Sequence, residues 1–174
     1  LGGYGDGGAV LTNDILIANR IRQLANHGQA EKKYHHEIVG INSRLDALQA
    51  AILQVKLKHL DEFIMQRQQA AAFYDYALSG ITAIQVPRKT GKHTYHQYTL
   101  VIEEKHREGL REHLLSVGIP VTVYFPVPAY LQKAYFNKNI HLSNTGQLCK
   151  TVLSLPMHTA LDESTLSYIC ESIH

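Results

Sequence analysis

The sequence predicts mixed α/β structure: a helix-rich first part and, beyond one very long helix, a smaller α+β unit. Three observations predict it. Residues 43–79 run for 37 positions without a proline or glycine and are dominated by helix formers. After Gly80 the patterning reads strand, strand, helix, strand, helix, an order that suits a layer with helices on one face of a sheet. The opening glycine run, Gly2 to Gly8, leads into the short apolar stretch Ala9–Thr12, which reads as a strand ended by the Asn13–Asp14 turn signal.

The glycine run contains a literal G-x-G-x-x-G from Gly3 to Gly8. That pattern cradles a dinucleotide only when a strand enters it and a helix starts from it, so that helix amides meet the pyrophosphate. Neither flank is of that kind here, and the run reads as a turn whose residues need unusual backbone angles. Asp14 to His27 follows with apolar residues at three- and four-residue spacing, Ile17, Ile21, Leu24 and Ala25 among them, and is an amphipathic helix. Thr12 or Asn13 is placed to cap it, and Gly28 to turn left-handed at its end. Gln29–Gly40 has no periodicity and is dense in polar and aromatic groups, as functional loops are.

From Ser43 to Ser79 a single helix would extend about 55 Å at the standard rise, so it must link two bodies or bend. Its apolar stripe runs through Leu45, Leu48, Ile52 and Val55, then shifts phase beyond Lys56 to Leu57, Leu60 and Ile64. The expected division is therefore 1–56 in one domain, 57–80 as a linking helix and 81–174 as the α+β domain. Within the last, Ile84–Pro87, Tyr95–Glu103 and Ile119–Phe125 read as strands. Lys105–Val117, Ser143–Leu153 and Asp162–His174 read as helices.

Composition narrows the function. There are 17 basic and 15 acidic side chains, a net charge of +2, with no basic stripe of the kind a nucleic-acid partner requires. Two cysteines, Cys149 and Cys170, fit a reduced compartment. No stretch nears the roughly 20 apolar residues of a membrane helix, so a cytoplasmic protein without a membrane partner is expected. The chain starts at Leu1 inside a turn, and is expected to be part of a longer polypeptide. Eleven histidines give no metal-binding spacing: His93 and His96, at a strand start, point to opposite faces.

Two clusters can carry chemistry. In Gly40-Ile41-Asn42-Ser43-Arg44-Leu45-Asp46 an amide and a guanidinium stand at the start of the long helix, where the dipole favours an anion and arginine adds a fork for phosphate or carboxylate. The alternative is that Asn42 is only a cap and Arg44 pairs with a neighbour. Tyr124-Phe125-Pro126-Val127-Pro128-Ala129-Tyr130, on a proline-stiffened turn, forms either one wall of a pocket or core packing.

Taken in order, GYGDGGAVLTND, KYHHEIVGINSRLDALQAAILQVKL, YHQYTL, GIPVTVYFPVPAYLQ and LSLPMH resemble the C-terminal half of the DegT-type sugar aminotransferases. The resemblance covers essentially the whole chain and implies the aspartate-aminotransferase-like, fold type I architecture: the end of a large domain and a small C-terminal domain. It implies pyridoxal 5'-phosphate as cofactor and a two-step reaction, an amino group passing from a donor, usually glutamate, to the cofactor and then to a nucleotide-linked keto sugar. Such enzymes serve cell-surface polysaccharide, lipopolysaccharide or secondary-metabolite sugar synthesis, and work as homodimers with shared active sites.

By the same resemblance the Schiff-base lysine lies two residues before Leu1, so no catalytic residue is expected within this stretch, which alone would be inactive. A histidine at that position would instead imply the related sugar dehydratases, and a non-catalytic relative is a further alternative. Asn42 matches an asparagine that reaches the cofactor phosphate across the dimer interface, with Arg44 supporting the same anionic region. Lys33, Tyr34, His35 and His36 match a loop approaching the sugar from the neighbouring subunit. Tyr124, Phe125 and Tyr130 stand where the family pattern has His, Tyr and His, which implies an altered sugar preference.

Overall fold

A computed structural model describes residues 1–174. The chain divides into two compact units, Leu1–Leu60 and Asp61–His174.

The first unit holds helices α1 (Ile15–Ala25) and α2 (Ala47–Leu57). Asp14 caps α1, its carboxylate accepting from Leu16 N at 2.8 Å and Ile17 N at 3.3 Å. Thr12 supports the cap residue instead, accepting from Asp14 N. A carboxylate serves better than the expected Thr12 or Asn13 because it meets two orphan amides and the positive helix end together. Ala9–Thr12 forms no strand and pairs with no neighbour, with Leu11 94% exposed. The apolar pattern supplies a face, but a strand also needs a neighbour for its backbone groups. Ile15, Leu16, Leu48 and Val55 are likewise exposed, and Gly28 is the one buried residue of the unit.

The 37-residue helix is two helices. α2 ends at Leu57 and α3 (Leu60–Ala77) begins after a break at Lys58–His59, where bonding tightens from i+4 to i+3: Lys58 N donates to Val55 O and His59 N to Lys56 O. The break falls where the apolar stripe changes phase. At the front, Ser43 to Asp46 are not helical, and the cap is Asp46, accepting from Leu48 N at 2.8 Å.

In the second unit α3 is followed by β1 (Ile84–Gln85), β2 (Tyr98–Ile102), α4 (Glu104–Ser116), α5 (Ser143–Thr151), β3 (Val152–Leu155) and α6 (Glu163–Glu171). The strands form one antiparallel sheet in the order β1-β2-β3, with Ile84 opposite Ile102 and Tyr98 opposite Leu155. Tyr98, Leu100 and Ile102 alternate inward and are fully buried, together with Ala71 and Tyr74 of α3, Leu78 just beyond it, Leu114 of α4 and Ile169 of α6.

Two elements depart from the sequence reading. Ile119–Phe125 pairs only at Thr122, which exchanges backbone bonds with Ser154; Pro120 and Pro126 remove amides a longer ladder would need. Val152–Leu155 is a strand, although Val152 and Leu153 were read as the end of a helix. Its apolar run is short enough for either structure, and Pro156 closes it. All four of its residues are buried, so the sheet is covered on both faces at that strand and not on one alone. Cys149 and Cys170 are free and buried, and burial, aided by Glu171, pushes the Cys170 thiol up to about 11. No helix is long and apolar enough to cross a membrane.

Candidate functional site

The first unit positions Asn42 through the end of α1. The last carbonyls of a helix lack intrahelical partners; here Leu24 O accepts from Ile41 N at 2.8 Å and Ala25 O from Ser43 N at 2.9 Å. Asn42 sits between those two donors and bridges Asn26. Two glycines permit the approach. Gly28 has φ +74°, and a Cβ there would collide with Ile38 O; a Cβ on Gly40 would collide with the backbone nitrogen of Gly28. The chain between them is pinched into a closed loop.

Asn42 is thus not a helix cap: it lies four residues before Asp46, which fills that role. The positive end of α2 already faces a carboxylate, and the helix end beside Asn42 is the negative end of α1, so attraction for an anion here falls to Arg44. Arg44 Nε donates to Asn42 Oδ1 at 3.0 Å. That bond engages the amide oxygen and leaves two kinds of donor available, the Asn42 NH2 and the ends of the guanidinium. The pair lines an open cavity of ≈ 700 Å³ together with Gly7, Gly8, Ile21 and the Asp6 carboxylate. Neighbouring N–H groups backed by a permanent positive charge suit a phosphate.

The loop residues divide by role. His36 Nδ1 donates to His27 O at 2.8 Å and its backbone bridges Gln29, so His36 anchors the loop base. Lys33, Tyr34 and His35 are exposed at the tip, Lys33 Nζ lying 5.0 Å from the Tyr34 ring centre and Tyr34 adopting φ 67°. The opening glycine run docks on α2: Gln49 Oε1 accepts from Tyr4 N at 2.8 Å and Lys56 Nζ donates to Gly2 O at 2.7 Å. The sequence reading missed both residues, although their spacing of seven puts them on one helix face.

Tyr124 and Phe125 belong to the second unit. Their rings meet edge to face, centres 6.0 Å apart at 76°, on the wall of an apolar cavity of ≈ 440 Å³ that Val127, Pro128, Leu148 and Val152 complete. Tyr130 turns elsewhere, its hydroxyl reaching Leu142 O at 3.5 Å. The cluster is a pocket wall, not core.

Comparison with known proteins gives a consistent result. The sequence profile of the DegT/DnrJ/EryC1/StrS aminotransferase family matches residues 1–174. The chain is 42% identical to the UDP-2-acetamido-2-deoxy-3-oxo-D-glucuronate aminotransferase of Pseudomonas aeruginosa, covering 99% of this chain and 48% of that protein. It is 40% identical to the pleiotropic regulatory protein of Geobacillus stearothermophilus, again over 99% and 48%. Among solved structures, DesV of S. venezuelae in complex with a ketimine intermediate superposes with a TM-score of 0.91 at 36% identity, over 99% of this chain and 47% of that one. The chain thus spans about half the length of these relatives. With the profile match over the whole chain, the five motifs and this fold in agreement, the chain belongs to the DegT/DnrJ/EryC1/StrS aminotransferase family.

Proposed function

We propose that the intact protein is a pyridoxal 5'-phosphate-dependent aminotransferase that moves an amino group from glutamate to a nucleotide-linked keto sugar. It acts as a cytoplasmic homodimer with shared active sites, in the synthesis of cell-surface polysaccharide or secondary-metabolite sugars. Residues 1–56 close its large domain, 57–80 link the domains and 81–174 form the small domain. The exposed apolar side chains of α1 and α2 then pack against the rest of the large domain.

The observation that carries the reading is the Asn42–Arg44 pair. The Asn42 amide and the Arg44 guanidinium hold the cofactor phosphate, and the bond between them keeps the Asn42 oxygen away from it. The bound cofactor supplies an electron sink for amino transfer. Lys33, Tyr34 and His35 approach the sugar from the neighbouring subunit, on a loop base fixed by His36. Tyr124 and Phe125 give an apolar wall that excludes water and orients the acceptor. The 42%-identical relative makes a UDP-linked 3-oxo sugar acid the first acceptor to test.

In the full-length protein, Asn42→Ala removes a charge-assisted hydrogen bond of about 1.5–3 kcal/mol. Cofactor affinity should fall about 10- to 100-fold with the circular dichroism spectrum unchanged, since the side chain caps no helix. Unchanged affinity would count against the assignment. The relative named as a regulatory protein favours a second, non-catalytic reading. The enzyme reading requires visible absorbance of the bound cofactor that glutamate bleaches; the regulatory one does not.

A further inference from the structure

We propose that a small polar cleft in the second unit is the subsite that reads the hydroxyl groups of the sugar ring. His96, Gln97 and Thr122 are its specificity-determining side chains, and Arg67 is the residue that positions its walls. The inference rests on the sugar aminotransferase reading above and adds to it residues to which no role has been given above.

Three segments far apart in sequence converge on this cleft: His96–Gln97, Thr122–Tyr124 and Ser154–Met157, around ≈ 190 Å³. Its floor is spoken for, because the Ser154 hydroxyl pairs with Thr99 Oγ1 at 2.8 Å and the Ser154 backbone with Thr122. The side chains of His96, Gln97 and Thr122 have no partner within the chain, and Gln97 is half-buried. Together they present an imidazole, an amide and a hydroxyl, which can both donate and accept. Tyr124 lines this cleft and also the larger apolar cavity beside it. Ring hydroxyls placed in the apolar cavity would lose their water without replacement partners. In the polar cleft they find partners, so Tyr124 acts as a partition and the hydroxylated face of the ring lies on the His96 side.

The walls are built with a backbone outlier. Tyr95 is buried yet has φ 45°, a conformation unfavourable for a bulky residue and found where surroundings enforce it. His93 Nδ1 accepts from Tyr95 N at 2.9 Å, and Gln68 Nε2 donates to His93 O at 2.9 Å. Arg67 Nη1 donates to Tyr95 O at 3.2 Å, to His96 O at 3.5 Å and to Met157 O at 3.0 Å. One guanidinium nitrogen therefore ties the His96 wall to the Met157 wall, and the kink at Tyr95 delivers His96 and Gln97 to the cleft.

The test uses the intact enzyme, a panel of UDP- and dTDP-linked 3- and 4-keto sugars, and the separate donor half-reaction followed by bleaching of cofactor absorbance with glutamate. For the best acceptor, His96→Ala combined with Gln97→Ala should raise KM about tenfold or more while the glutamate half-reaction keeps its rate. Arg67→Ala should do the same through misplaced walls, and Arg67→Lys, which keeps a cation but not the fork, should recover part of the loss. An unchanged acceptor KM in the His96/Gln97 variant, or a fall in both half-reactions that tracks a loss of thermal stability in the Arg67 variants, overturns the subsite while leaving the enzyme reading intact. No transfer to any acceptor by the unsubstituted protein overturns the enzyme reading and the subsite with it.

Discussion

Raising the pH from about 9 to about 11 should cost the second unit about 3 kcal/mol of stability, through two tyrosines. Tyr74 and Tyr98 are both fully buried. Burial, with a contribution from Cys170, pushes the Tyr74 phenol well above its ordinary range. Burial and then the hydrogen bond to Asp75, at 2.6 Å, do so for Tyr98. Both pKa values are raised in the folded state, so each proton stays on when the chain is folded and leaves near pH 10 when it is unfolded. The stabilisation is therefore complete below that pH and erodes above it, at about 1.4 kcal/mol per pH unit for each tyrosine. Urea midpoints of the intact protein at the two pH values, for the wild type and for Tyr74→Phe/Tyr98→Phe, isolate the effect, because the Cys170 thiol contributes to both. At the lower pH the variant should be weaker by about 2–4 kcal/mol, the worth of the Tyr74–Pro156 and Tyr98–Asp75 bonds. At the higher pH the two proteins should converge. Parallel losses in both would refute the reasoning.

Four further outcomes follow from the packing. Gly40→Ala sets a methyl against the Gly28 backbone, which has no rotamer with which to give way; a loss of about 1–3 kcal/mol in urea unfolding and weakened cofactor retention are expected together. Leu100→Ala empties a fully buried site on the central strand and should cost about 2–5 kcal/mol by the same measurement. Asp14→Ala removes the α1 cap, and helicity by circular dichroism should register a loss of about 1 kcal/mol. Hydrogen bonds from Thr165 and Ser164 hold the Asp162 carboxyl below its usual range, so its cap is intact above the ordinary carboxylate pKa and fails as pH falls through the depressed value. Amide exchange at Thr165 should accelerate over that acid range, and Asp162→Asn should remove the pH dependence.

Much of the second unit was legible because its signals are local. Tyr98, Leu100 and Ile102 announce a strand with one buried face, and Asp162 announces the start of α6. The failures are non-local. Ala9–Thr12 has a strand's composition but no backbone neighbour, and Val152–Leu155 is a strand because Tyr98–Val101 lies beside it, a fact that so short a run does not encode. The phase shift near Lys56 marked the break between α2 and α3, yet helix propensity alone carried the expected helix through it. At the candidate site, Asn42 and Arg44 were singled out by residue type, but their bond to each other replaced the helix-dipole argument made for them. Gln49 and Lys56 were overlooked because their partners, Tyr4 N and Gly2 O, are main-chain atoms that no side-chain motif records.

The pinch at Gly28 and Gly40 separates two evolutionary freedoms. Everything that fixes Asn42 lies at the neck, in Leu24, Ala25, Ile41 and Ser43, whereas Lys33 to His35 hang beyond it with no structural duty toward Asn42. Residues can be inserted, deleted or exchanged at that outer end without disturbing the placement of Asn42. A scaffold wired in this way lets the tip vary while the Asn42–Arg44 pair stays in place.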